Sequence, residues 1–341
     1  MLNKKVHWGV LGCAHIALNY LIPAIKASVG GEVYALASRE LSRAKHHAEK
    51  LEIPKYYGSY QELIDDPEIE AVYIPLPNAL HREWAIKAAQ KGKHVLCEKP
   101  LAPTAQEARE MKKAADENHV LLWEAFMWRF HPRTKQLKDL LDLGVVGDIK
   151  FIRGGFSYYL EHRQETRLSP NLVGGALMDV GCYPVNFARL VTGAEPLRVF
   201  ASMDFLPGSE LLSHPVDTAT MALMDFPGQI KVSFSCRFDT GFEGQWMEIV
   251  GRHGRLYLDW PFNPKTEHLG ILLTNEDIKP YQFIPSPHDD HFRLEVEEFQ
   301  KCIEMPSVID SLTLVDKNMI GQAKVLEALY QSGQTNQPIN L

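Results

Sequence analysis

Cysteine is scarce: there are five in 341 residues, and Cys13, Cys97, Cys182, Cys236 and Cys302 stand far apart with no CxxC pair among them. That spacing argues against zinc or dithiol redox chemistry and makes them reduced, mostly structural thiols. No long apolar run occurs either. The charged residues 1–5 lead straight into the strand-like stretch 6–11, so neither a secretory leader nor a membrane helix is expected, and cytoplasmic residence is. Blocks of Lys or Arg are missing and the formal charge is -7, which disfavours nucleic acid and anionic membranes and leaves a small molecule as the expected partner. Internal repeats and low-complexity linkers are also lacking.

What is present is enough apolar material, 45% of the residues, to fill two cores. From residue 5 to about 123, the apolar runs VHWGVLG, EVYALAS, EAVYIPLP, KHVLCEKP and HVLLWEA alternate with amphipathic stretches such as 105–118. This is a βαβ pattern, and it predicts an α/β, doubly wound parallel sheet, a Rossmann domain over 1–123. Beyond it the pattern changes to one helix near 134–143 and strands near 150–159, 198–205, 218–226, 229–238, 246–250, 254–259 and 269–274. Short turns such as FPGQ and GRHG favour a mainly antiparallel sheet, hence an α+β domain over 124–341. Helices near 291–303 and 313–332 close the chain, the first with Phe292, Val296, Phe299 and Ile303 at helical spacing.

The first strand runs into Gly12-Cys-Ala14-His-Ile-Ala17, a GxAxxA form of the small-residue turn that lets pyrophosphate approach a helix N-terminus. Gly12, Ala14, His15 and Ile16 are the expected dinucleotide contacts, although such a turn also serves plain packing. The second strand ends at Ser38-Arg39, where a NAD site commonly carries an acid for the ribose 2′-hydroxyl. Ser38 and Arg39, with Arg43 one helical turn on, can instead donate to a 2′-phosphate, so NADP is expected over NAD.

Pro77-Asn78-Ala-Leu-His81, Gly92-Lys-His-Val-Leu-Cys-Glu98-Lys99-Pro100 and Gly174-Gly-Ala-Leu-Met-Asp179-Val-Gly181-Cys-Tyr183-Pro184, in that order after the turn, resemble the glucose-fructose oxidoreductase/inositol dehydrogenase (Gfo/Idh/MocA) family. The resemblance implies a Rossmann domain followed by an open-faced sheet domain, with nicotinamide chemistry and catalytic Lys99. Many members end the last motif in His. Tyr183 here resembles instead the branch of dihydrodiol dehydrogenases, NADP-dependent xylose dehydrogenases and glucose-fructose oxidoreductase.

The resemblance further implies that Pro77 and Asn78 position the cofactor loop, that His81 supports it by packing or hydrogen bonding near the cofactor, and that Glu98 holds Lys99 or contacts the nicotinamide ribose; the plainer reading of Pro77, Asn78 and Glu98 is turn formation and surface hydrogen bonding. It also places Trp123, Phe126, Trp128 and Arg129 at a substrate mouth able to stack a sugar or an arene diol, although at so close a spacing not all can face one cavity and at least half are expected in core packing. Alcohol oxidation needs a base for the hydroxyl proton as hydride leaves carbon, and reduction needs the reverse. A phenol with a reference pKa near ~10 needs help at neutral pH, and the ammonium of Lys99 would supply it for Tyr183. Asp179 could orient Tyr183 or bind substrate, since four residues on a helix put both on one face.

Each residue has a plainer reading: Lys99 in a surface ion pair, Tyr183 as a core aromatic, Asp179 as a helix cap. Likewise His288-Asp-Asp-His291 could suggest a metal but reads as a polar loop before a helix, and no metal is expected. The expectation is an NADP-dependent dehydrogenase acting on a sugar, polyol or dihydrodiol. The alternatives are a non-catalytic NADP-binding sensor, or an enzyme that retains its cofactor through an internal redox reaction. A homodimer is expected, because the apolar positions Val232, Phe234 and Cys236 of an open sheet need cover.

Overall fold

The computed structural model describes residues 5–161, 166–209, 214–306 and 318–341, without the side chains of residues 242 and 243. The chain divides into two compact units, one of Met1–Ala102, Gln106–Phe130 and Asp290–Met319, the other of Pro103–Ala105, His131–Asp289 and Ile320–Leu341. This differs from a single cut after residue 123. The helix His291–Glu304 returns to the first unit because its apolar face belongs there: the Phe299 ring lies 5.4 Å from Trp8 and 5.2 Å from Trp123.

In the first unit, β1 (Val6–Leu11), β2 (Gly31–Ala37), β3 (Lys55–Tyr57), β4 (Ala71–Ile74), β5 (His94–Glu98) and β6 (Leu122–Ala125) form a six-stranded sheet. Its order is β3-β2-β1-β4-β5-β6, and every pair is parallel. Parallel strands are covered on both faces, which is why β4 is buried at all four positions and why these strands read as nearly unbroken apolar runs. The order reverses between β1 and β4. Chain leaving the C-terminal ends of those two strands therefore splays apart into the crevice where doubly wound sheets bind ligands.

The second unit holds β7 (Ile149–Tyr159), β8 (Arg198–Phe205), β9 (Asp217–Asp225), β10 (Lys231–Arg237), β11 (Asp239–Gly251), β12 (Gly254–Asp259), β13 (Gly270–Asn275), β14 (Gln282–Pro285) and β15 (Ile339–Asn340). The sheet order is β14-β13-β12-β11-β7-β10-β9-β8-β15. FPGQ and GRHG do close the antiparallel hairpins β9/β10 and β11/β12, but β7 and β10 pair in parallel. A helix over Pro132–Asp142 precedes the sheet, capped by His131, with Pro132 at its first position where no N–H is needed. The last helix runs over Met319–Thr335; the expected residues 313–317 lie outside the described residues.

Strand register sorts the sheet into two faces. Ile152, Val232, Phe234, Cys236, Met224, Met247 and Ile249 are buried on one. The helical stretch Leu177–Gly181 and Cys182–Thr192 packs there so closely that a Cβ on Gly181 would lie 2.8 Å from the Cys236 sulfur. Val232, Phe234 and Cys236 are thus already covered within the chain, which corrects the reason given for expecting a dimer. The apolar side chains left open, Phe151, Met221, Leu223 and Trp246, belong to the opposite face.

Candidate active site

The turn after β1 needs glycine at one point. Gly12 has φ of +117°, outside the range of L side chains, and a Cβ there would meet the Leu76 side chain at 3.2 Å. Its N–H donates to the Ala37 carbonyl at 2.9 Å, tying the turn to the end of β2. Ala14, His15 and Ile16 follow with part of their surface open, and Ala17 is buried at the start of the helical segment. Ser38 is buried, and its hydroxyl accepts from the Glu40 N–H at 3.3 Å. Arg39 and Arg43 are exposed, and Arg43 is tethered, its Nη2 donating to the Cys13 carbonyl at 3.1 Å.

Lys99 sits in a turn fixed on three sides. Glu98 Oε2 accepts from the Lys99 N–H at 3.2 Å, while Glu98 Oε1 accepts from the Tyr73 hydroxyl at 2.5 Å. Two residues on, the Leu101 N–H donates to Glu124 Oε1 at 2.8 Å. His81 is fully buried and spans the loops after β4 and β5, with Nδ1 3.0 Å from the Pro100 carbonyl and Nε2 2.7 Å from that of Leu76. Burial pushes its pKa down, outweighing the carbonyl contacts that favour the charged ring. A neutral imidazole has one N–H, so it donates to one of these carbonyls and packs against the other, a brace between the two loops. Pro77 and Asn78, partly open, begin the helix Asn78–Gln90 beside it. The first unit therefore gathers the glycine turn, both arginines, His81, Glu98 and Lys99 along the C-terminal edge of one sheet.

In the second unit Asp179 lies in a π-helical turn, Leu177–Gly181, that flows into the helix carrying Tyr183. Asp179 Oδ2 accepts from the Tyr158 hydroxyl at 2.6 Å and from Arg167 Nε at 3.1 Å. The Tyr183 ring is cradled by Phe156 and Phe262, centroids 5.5 and 5.1 Å away. Beneath this segment the buried Asp217 accepts from the Leu177 N–H at 2.8 Å, the Thr220 hydroxyl at 2.6 Å and the Tyr330 hydroxyl at 2.7 Å. Tyr158, Arg167 and Asp217 were not singled out from sequence. The only local signal was for Asp217, an acid at the head of an apolar strand, where a charge must find partners.

Trp123, Phe126 and Arg129 are placed together in the first unit and are buried there to 4%, 1% and 5% exposure. Trp123 stacks on Phe130 and meets Phe299 edge-on, which is interior packing. In the segment 288–291, Asp290 caps the following helix by accepting from the Phe292 and Arg293 N–H groups. Among the described residues no group of three or more His, Cys, Asp or Glu is arranged to hold a metal ion, and no helix is long and apolar enough to cross a membrane. All five cysteines are buried.

A dinucleotide turn on a doubly wound sheet, joined to a broad mainly antiparallel sheet that carries a Gly-Gly…Asp…Tyr helix, defines a two-part nicotinamide oxidoreductase fold. Residues 6–126 match the model of an oxidoreductase family with an NAD-binding Rossmann fold, and residues 134–257 match the GFO/IDH/MocA C-terminal domain. The chain belongs to the GFO/IDH/MocA oxidoreductase family. It is 35% identical to D-xylose 1-dehydrogenase (NADP(+)) 2 of Haloferax volcanii, over 98% of this chain and 99% of that one. It is 36% identical to trans-1,2-dihydrobenzene-1,2-diol dehydrogenase of Xenopus tropicalis, over 96% and 98%. Among solved structures, a 3-ketoreductase from Actinomadura kijaniata in complex with NADP and TDP-benzene superposes with a TM-score of 0.86 at 29% identity, covering 96% of this chain and 98% of that one.

Proposed function

We propose that this protein is an NADP-dependent dehydrogenase or reductase that moves hydride between the nicotinamide and a sugar, polyol or dihydrodiol, with Tyr183 as the acid/base and Lys99 assisting it. The observation that carries the reading is the bracing of Lys99: Glu98, Glu124 and His81, each buried or half-buried, hold the backbone of this one turn. A surface lysine in an incidental ion pair needs no such support. The similar 3-ketoreductase has been crystallised as single variants with one lysine or one tyrosine replaced, and those two stand 84 positions apart, as Lys99 and Tyr183 do.

NADP, when bound, supplies or accepts the hydride. The chain's part is to bind and orient it and to move the accompanying proton. Arg39 and Arg43 are suited to the 2′-phosphate as charged donors after β2, Arg43 being already held at the dinucleotide turn by the Cys13 carbonyl. Tyr183 would take the hydroxyl proton in oxidation and return it in reduction, with Asp179, fixed by Tyr158 and Arg167, orienting the substrate hydroxyls. The reading also takes the protein to be cytoplasmic and a homodimer joined through the open sheet face of Phe151, Met221, Leu223 and Trp246. The direct test is to incubate the purified protein with NADP or NADPH and a panel of xylose, glucose, deoxyosones and aromatic dihydrodiols, with product analysis beside absorbance. Net cofactor turnover with one class is expected; cofactor binding with no product from any would leave a sensor.

A further inference from the structure

The turn that follows β12 is fastened by two buried polar side chains. Arg133, 1% exposed in the helix Pro132–Asp142, donates through Nη1 to the carbonyls of Asp259 at 3.0 Å and His268 at 2.8 Å, and through Nη2 to that of Trp260. Gln245, buried in β11, holds the residues between: its backbone carbonyl accepts from the Trp260 N–H at 2.9 Å, and its Oε1 accepts from the N–H groups of both Phe262 and Asn263 at 3.1 Å. Under these restraints Trp260 keeps a φ of +47°, a left-handed value that a bulky residue holds only where its surroundings enforce it.

Burying a guanidinium and an amide is unfavourable unless each finds partners, and here the partners lie in the stretch 259–268 that presents Phe262. The Phe262 ring, fully buried, lies 5.1 Å from Tyr183, 5.9 Å from Phe156 and 6.2 Å from Phe187. Gln245 is also the register partner of Phe156, the second ring of the Tyr183 cradle. We propose that Arg133 and Gln245 are positioning residues for the reaction: through the turn at 260–263 they hold Phe262 against Tyr183 and so set where its phenol points. The proposal rests on the acid/base reading of Tyr183 given above, and both residues act through Phe262, not on the reacting atoms.

The test incorporates meta-fluorotyrosine into the full-length protein and follows the fluorine resonance of residue 183, identified as the one lost in Tyr183→Phe. Phe262→Leu removes the neighbouring ring and marks where the resonance lies without it. Gln245→Met keeps the volume but withdraws the acceptor from two N–H groups, and should carry the resonance most of the way to that mark. Arg133→Lys, which keeps the charge but not the fork of donors, should move it in the same direction, and carries the test if Gln245→Met does not fold. Gln245→Glu restores an acceptor oxygen and should bring the resonance back towards wild type. Gly193→Ala, strained at the far end of the Tyr183 helix, should leave it in place. A resonance that keeps its wild-type position in Gln245→Met and Arg133→Lys, or that Gly193→Ala moves as far, would overturn the proposal. The reading of Tyr183 is judged separately, by the turnover of Tyr183→Phe: an active Tyr183→Phe removes the acid/base role whatever the resonance shows.

Discussion

The Tyr73 hydroxyl donates to Glu98 Oε1 at 2.5 Å while the other oxygen of Glu98 accepts from the Lys99 N–H, so a buried phenol in the middle of the sheet sets the position of the lysine turn. Burial, together with the charge of Glu98, pushes the Tyr73 pKa well above its usual value, and the phenol remains a donor across the working pH range. Tyr73→Phe should cost about 2 kcal/mol of stability, the range for a hydrogen bond to a charged group, read as a lower urea midpoint at unchanged slope. The coupling is tested by adding Glu98→Gln. If the two losses simply sum, the two side chains are energetically independent.

A second prediction concerns pH. Burial pushes the carboxyl of Asp66 up, but the Tyr57 hydroxyl, Lys55 and the Glu68 N–H outweigh it and hold the pKa at about 2. A depressed folded-state pKa gives stability that is fully present above the unfolded value near ~4 and is lost as pH falls through about 2, a swing of roughly 2 kcal/mol. Wild type should therefore exceed Asp66→Asn in urea midpoint at pH 6, with the gap closing towards pH 2. A gap that stays constant with pH would mean that ionisation of Asp66 contributes nothing.

Gly175 is a site of steric necessity. Its φ is +123°, and a Cβ would collide with the Asp217 carboxylate and the Tyr330 hydroxyl. Gly175→Ala should destabilise the protein by about 3 kcal/mol or more, through backbone strain together with loss of the buried bonds to Asp217. Gly193→Ala makes a useful control: its φ is also positive, at +63°, but its Cβ would meet nothing within 4 Å. If both variants lose the same stability, strain alone is at work and the Asp217 network is not disturbed.

For the chemistry, Tyr183→Phe should abolish most turnover and leave cofactor affinity near wild type, since it removes the transferable proton and little volume. Lys99→Met should also suppress turnover. Slow product release can mask the defect, so the comparison is single-turnover transfer from substrate deuterated at the reacting carbon, where the isotope effect should be more fully expressed. Unchanged transfer in Tyr183→Phe would assign the proton to another group.

Association is tested at the open face. Leu223 is 57% exposed and Met221 66%, and Leu223→Arg should convert a dimer to monomer in light scattering. A wild type that is monomeric at all micromolar concentrations removes the dimer.

Much of the first unit was readable, because parallel strands buried on both faces leave apolar runs that only Gly, Pro and helical segments interrupt. The three-residue β3 and two-residue β15 were too short for any period to show. Phe292, Val296 and Phe299 announced a buried helix face, but amphipathicity says that a face is covered, not by what, so the return of residues 291–304 to Trp8 stayed hidden. The same holds at the site. Gly12, Arg39, Lys99 and Tyr183 stand in motifs, whereas Tyr73 and Glu98 are partners only once the chain is folded. A phenol inside the all-buried AVYI strand was the one hint, since such a hydroxyl must find a partner.

The return of the helix His291–Glu304 also sets the order in which the protein can be made. The aromatic surface formed by Trp8 and Trp123 lacks the Phe299 ring until about 170 further residues have followed Phe130 out of the ribosome. At about 5–20 residues per second that is a wait of roughly 10–35 s. During it, the dinucleotide-binding half is a nascent chain with greasy indoles on show, and a transcript broken before codon 291 yields a product that never hides them.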